Sequence, residues 1–179
     1  MKNFIVKTIC TSAIILLVIG CNDSSTGIHE EHSDFAVIEH ACLHMADVGV
    51  DIEASATMPG PHLDEEDFDH TRLNVALADI EGGKGGYIHF GPNITAEMFV
   101  MTSEDVPLVV INRTTSGDTE TEIEQTFTAQ EIADSTGCTQ IKKAIVFDAK
   151  NGGNIIRIGP TTFDTISLII EEGSHGHSH

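Results

Sequence analysis

The chain of 179 residues carries 28 acidic and 9 basic side chains, a net charge of −19, with 40% hydrophobic content. Charge of this sign repels phosphate backbones, which excludes nucleic acid as a partner and favours cations, metal ions included. The length fits one domain with a real core, the hydrophobic content excludes disorder for the bulk of the chain, and the absence of Trp with a single Tyr leaves little aromatic surface for stacking.

Residues 1–20 have the layout of a secretory signal: Lys2 and Lys7, then an apolar stretch densest from Ala13 to Ile19, too short to span a bilayer. Both lysines leave with it, taking the net charge from −19 to −21. At Val18-Ile19-Gly20-Cys21 the sequence resembles the lipobox of bacterial lipoproteins. The resemblance implies cleavage before Cys21, a diacylglyceryl group on its thiol, and further acylation by chains such as palmitate. Several acyl chains give durable attachment where one is marginal. Asn22 in place of Asp after the cysteine implies the outer membrane, facing the periplasm. Residues 21–33 are polar, with His29 and His32 among them, and read as a flexible tether.

From Asp34 to Val48, Phe35, Ile38, Cys42, Met45 and Ala46 recur at helical spacing, with Ser33 or Asp34 as N-cap and Gly49 as stop. Beyond this helix the pattern turns to period two or short β-branched runs. Strands are expected over Arg72–Ala78, Tyr87–Phe90, Glu97–Thr102, Leu108–Asn112, Glu120–Thr128, Ile141–Asp148, Asn154–Ile158 and Thr165–Ile170. Gly82–Gly86, Ser116-Gly117-Asp118 and Asn151-Gly152-Gly153 read as turns. A mainly β chain with one short N-terminal helix predicts an antiparallel, jelly-roll-like β-sandwich over residues 34–172, with a His-rich tail at 173–179. Ile88-His89-Phe90-Gly91-Pro92 echoes Ile156-Arg157-Ile158-Gly159-Pro160, which would fit two similar hairpins.

Between Gly86 and Glu171 the glycine-led Tyr87–Phe90 strand, Val106–Val110 and Gly153–Ile158 resemble the small jelly-roll sandwiches of the bacterial pre-peptidase C-terminal type. The resemblance implies an accessory binding or stabilising module. It does not extend to the helix.

Signatures of catalysis are missing: there is no nucleophile elbow, and Lys84 in its glycine run lacks the Ser or Thr of a phosphate loop. His40 and His44 stand one turn apart on the helix, the spacing of a chelating pair. Glu39 precedes His40 and does not fall between the two histidines, so a hydrolase acting through metal-bound water has no evident base and ranks last. His70 is the best third ligand, with His62 and His89 as alternatives, although His89 alternates with Ile88 and Phe90 and should face outward. Water, a carboxylate such as Glu39, or the tail would fill a fourth position. His175, His177 and His179 can wrap a borderline divalent ion loosely. Asp64–Asp69 lacks the spacing of a calcium loop and reads as solvated, and Met98 and Met101 read as core.

With Cys10 lost in the signal and Cys21 acylated, Cys42 and Cys138 are left to pair in an oxidising compartment. The function expected from these features is non-catalytic: a membrane-tethered, extracytoplasmic protein that captures, buffers or hands over zinc or copper. The alternative is a β-sandwich module that binds a protein or envelope partner.

Overall fold

The computed structural model describes residues 34–64, 68–92, 95–114, 117–151 and 153–173. The signal, Cys21, the tether and His175, His177 and His179 lie outside the described residues. Helices α1 (Asp34–His44) and α2 (Ala129–Thr136) accompany strands β1 (Val50–Glu53), β2 (His62–Asp64), β3 (Leu73–Ala76), β4 (Ala78–Ile80), β5 (Gly83–Gly91), β6 (Ala96–Thr102), β7 (Leu108–Thr114), β8 (Gly117–Glu120), β9 (Gln125–Thr128), β10 (Lys143–Ala149), β11 (Asn154–Thr161) and β12 (Thr165–Glu172).

The strands build the expected sandwich of two sheets, one in the order β1-β3-β12-β6-β10-β9 and the other β2-β5-β11-β7-β8, with β4 beside β5. Most neighbours are antiparallel, as in β12 against β6, where Ile170 faces Val100. Two pairs, β1 with β3 and β2 with β5, are parallel. In each the intervening chain visits the other sheet before returning, which supplies the long crossover that parallel neighbours require.

Period-two alternation divides the core into two layers. On β6, Met98 and Val100 point between the sheets, among Phe90, Ile156 and Phe147. Phe99 and Met101 point the opposite way, among Ile38 and Ala41 of α1, Ile132 of α2, and Phe127. The first sheet is therefore covered on both faces, which explains the nearly unbroken apolar run of β6 and the buried methionines.

Local departures from the expected elements have physical reasons. The first helix stops at His44 and not at Val48, because the last turns tighten and Arg72 takes the carbonyls. Ala46 N–H donates to Leu43 O at 3.2 Å, and Arg72 Nη1 donates to Met45 O at 2.9 Å and Asp47 O at 3.3 Å. The Glu120–Thr128 run is not one strand: β8 ends in one sheet, residues 121–124 cross over, and β9 begins in the other. Of the expected Arg72–Ala78 strand, Leu73–Ala76 stays in the first sheet while Ala78 already belongs to β4 of the second. Of the glycine run only Gly82 lies in a turn, with Glu81 between β4 and β5, while Gly83–Gly86 begin β5, and a Cβ on Gly86 (φ +142) would lie 2.7 Å from the Ser55 carbonyl oxygen. The echoed motifs lie on adjacent strands, Ile88 opposite Ile156, but only the second continues past its Gly-Pro, with a shift of register between Ile158 and Thr161. Gly173 belongs to the fold and not to the tail: it is buried and donates to Glu97 O at 2.8 Å.

Candidate metal centre

Helix α1 lays Ile38 and Ala41 into the layer above the first sheet, which turns His40 and His44 toward the end of β12. Their ring centroids are 4.8 Å apart, as i,i+4 spacing on one face dictates. Two ties hold the helix there. The expected disulfide joins Cys42 to Cys138 with Cα atoms 6.0 Å apart, and Arg72, which grips the end of the helix, also donates from Nε to Ser167 Oγ on β12 at 3.1 Å.

His70 reaches the same place from the approach to β3. Asp69 forms a parallel bridge with Ile170 of β12, and Thr71 closes the turn by donating its N–H to Phe68 O at 3.1 Å. His70 itself adopts φ 51, the left-handed region that histidine tolerates better than most side chains. Buried Phe68 anchors this end of the acidic run, whose residues 65–67 lie outside the described residues.

The fourth member is Glu171. On β12, Leu168 and Ile170 point between the sheets, so Ile169 and Glu171 point toward α1. His70 Nδ1 lies 2.9 Å and His40 Nδ1 3.7 Å from Glu171 Oε2, and the Glu171 side chain is only 3% exposed. One potential ligand atom from each of His40, His44, His70 and Glu171 lies within 4.8 Å of every other, a group that could hold a metal ion. Ligand atoms around tetrahedral zinc are roughly 3.3 Å apart, so side-chain rotations of about 1.5 Å would close the set.

Burial pushes the Glu171 carboxyl up to about 7, Asp69 adds to the rise, and His40 and His44 oppose it. Its Oε1 is buried without a hydrogen-bond partner among the described residues. Two acids stand behind the imidazoles: Asp47 Oδ2 at 3.0 Å from His44 Nδ1, and Asp69 Oδ1 at 3.6 Å from His70 Nε2. Such carboxylates fix ring orientation and raise ligand basicity.

His40, His44 and His70 thus come together as expected, but the carboxylate does not. Glu39 is exposed and outside the group; Glu171 takes that place. The signal was an acid at the end of the apolar run Leu168-Ile169-Ile170, on the same alternating face as Ile169. His62 and His89 do not join the group but face each other, Nδ1 to Nδ1 at 3.0 Å, on the outer side of the second sheet. Lys84 is held by Asp79 at 2.8 Å and Asp164 at 3.4 Å, which explains its raised pKa and gives it a structural role. Among the described residues no helix is long and apolar enough to cross a membrane. No protein-family model matches the chain, and no curated protein matches it.

Proposed function

We propose that the protein captures a divalent transition-metal ion, zinc or copper, outside the cytoplasm and releases it again, while a lipid on Cys21 tethers it to the envelope. One observation carries this reading: three imidazoles converge on a carboxylate that is 3% exposed and keeps one oxygen unpartnered among the described residues. A single histidine suffices to neutralise one buried carboxylate. Three imidazoles and a carboxylate make the donor set of a four-ligand site that suits zinc or copper better than calcium or magnesium.

Access favours exchange over permanent storage, since His40 and His70 remain 49% and 52% exposed above the buried acid. The net charge of −19 raises the local cation concentration. The lipobox resemblance supplies the tether, and the pre-peptidase C-terminal resemblance supplies the frame to which α1 adds the site. The partner-binding reading is supported by Leu43, Val48 and Val50, large apolar side chains exposed around the end of α1. A surface there also suits a protein that receives the ion.

Deleting Ser174–His179 while keeping Gly173 tests the site by zinc titration. One tight equivalent should survive the deletion and disappear when His40 and His44 become Ala. If all binding leaves with the tail, the domain is a scaffold carrying a loose histidine lure.

A further inference from the structure

We propose that His62 and His89 form a second, independent metal site on the opposite side of the sandwich, selective for an ion of tetragonal preference such as copper(II) or nickel(II). The two histidines are direct partners in the parallel pairing of β2 with β5, so the sheet itself sets the distance between them. Their Nδ1 atoms are 3.0 Å apart. The ring centroids are 4.4 Å apart, closer than a head-on contact through those nitrogens allows, so the ring axes lie off the line between them. Rings that share one ion are bent off that line in the same way.

The distance selects the metal. With metal–nitrogen bonds of about 2.0–2.1 Å, nitrogens 3.0 Å apart subtend roughly 90–97° at the ion. This is the cis angle of a square-planar or octahedral ion and falls short of the tetrahedral value that zinc prefers.

The surroundings prepare the same two nitrogens. Asp64 Oδ1 accepts from His62 Nε2–H at 3.1 Å, which fixes the tautomer and aims the His62 Nδ1 lone pair at His89, whose Nδ1–H it accepts until an ion takes the place of that proton. The other nitrogen of His89, Nε2, is buried beside Gly153, where a Cβ would lie 3.3 Å from it. His89 can therefore present only Nδ1 outward. Its pKa is lowered by burial first and then by His62 and Arg113, which keeps the ring neutral and able to ligate. Arg113 is the cation that opposes a metal here, and Asp118 at 4.0 Å offsets part of its charge. His62 is 48% exposed, which leaves the remaining coordination positions open to water.

Copper(II) titration followed by electron paramagnetic resonance tests the site in a chain carrying His40→Ala and His44→Ala and lacking Ser174–His179. One equivalent with the signature of two bound nitrogens is expected, weakened at least tenfold by His89→Phe and about tenfold by Asp64→Ala. Circular dichroism confirms that each variant folds. In the unaltered full chain, copper(II) added beyond what the α1 site and the tail take up should broaden the ring resonances of His62 and His89. Unchanged copper binding in a folded His89→Phe variant, or rings left sharp in the unaltered chain, would overturn the proposal. Zinc binding at the α1 site is a separate measurement, so failure of either site is distinguishable from failure of the other.

Discussion

Replacing Glu171 with Gln should stabilise the metal-free protein at high pH while it damages metal binding. The carboxyl titrates near 4.5 in the unfolded chain and is raised to about 7 in the folded one, chiefly by burial. Below pH 4.5 it is protonated in both states and costs nothing. Between the two values the unfolded chain ionises first, so folding stability declines with rising pH. Above pH 7 the folded protein carries the whole burden, about 3 kcal/mol at 1.36 kcal/mol per unit. Glutamine does not ionise, so its stability should lack this slope. The variant weakens the hydrogen bond to His70, worth about 1 kcal/mol, and the expected net gain at pH 8 is about 2 kcal/mol. At pH 4.5 the protonated acid and the amide should differ by less than about 1 kcal/mol.

Urea unfolding in chelator at pH 4.5 and pH 8 reads both numbers directly. With zinc at a hundred times its dissociation constant the order should reverse, because the native protein gains about 2.7 kcal/mol and the variant far less. A Gln variant less stable than the native chain at pH 8 without metal would show that Glu171 is a satisfied ion-pair partner of His40 and His70. The strained-carboxylate reasoning would then fail, and with it the best reason to expect a cation there.

Removing the disulfide by Cys42→Ser with Cys138→Ser opens a link across 96 residues and should cost on the order of 4–5 kcal/mol in the chain-entropy model, read from the urea midpoint. Zinc affinity should fall with it, since Cys42 lies between His40 and His44 and its bond holds that turn of α1 down; unchanged affinity would show that Arg72 alone suffices. Replacing Cys21 with Ser should move the protein from the membrane fraction to the soluble envelope fraction, and continued retention by membranes would exclude lipid as the anchor.

The parts of this molecule that were legible in the sequence are those specified by neighbours in the chain. Helical spacing on α1 identified His40 and His44 as one face, and period-two runs located the long strands of both sheets. Elimination among the cysteines left Cys42 and Cys138 to each other. Short edge strands such as β1 and β2 escaped because three or four residues, mostly exposed, carry almost no periodic signal. Helix α2 escaped for a different reason. Its capping box was present in Thr128 and Glu131, but the strand expected over Glu120–Thr128 had absorbed the cap.

Glu171 is the instructive omission. The final strand was expected to end at Ile170, just before the two consecutive acids Glu171 and Glu172. In the folded protein β12 continues because Glu171 is covered by α1, from the other end of the domain, and by His70, brought in through the Asp69–Ile170 bridge. Burial of that acid is thus a tertiary fact, and so is its raised pKa. The histidines alone define a place where a metal could be held, but the carboxylate beneath them gives the folded chain a free-energy reason to prefer a cation there, and no local pattern records that preference.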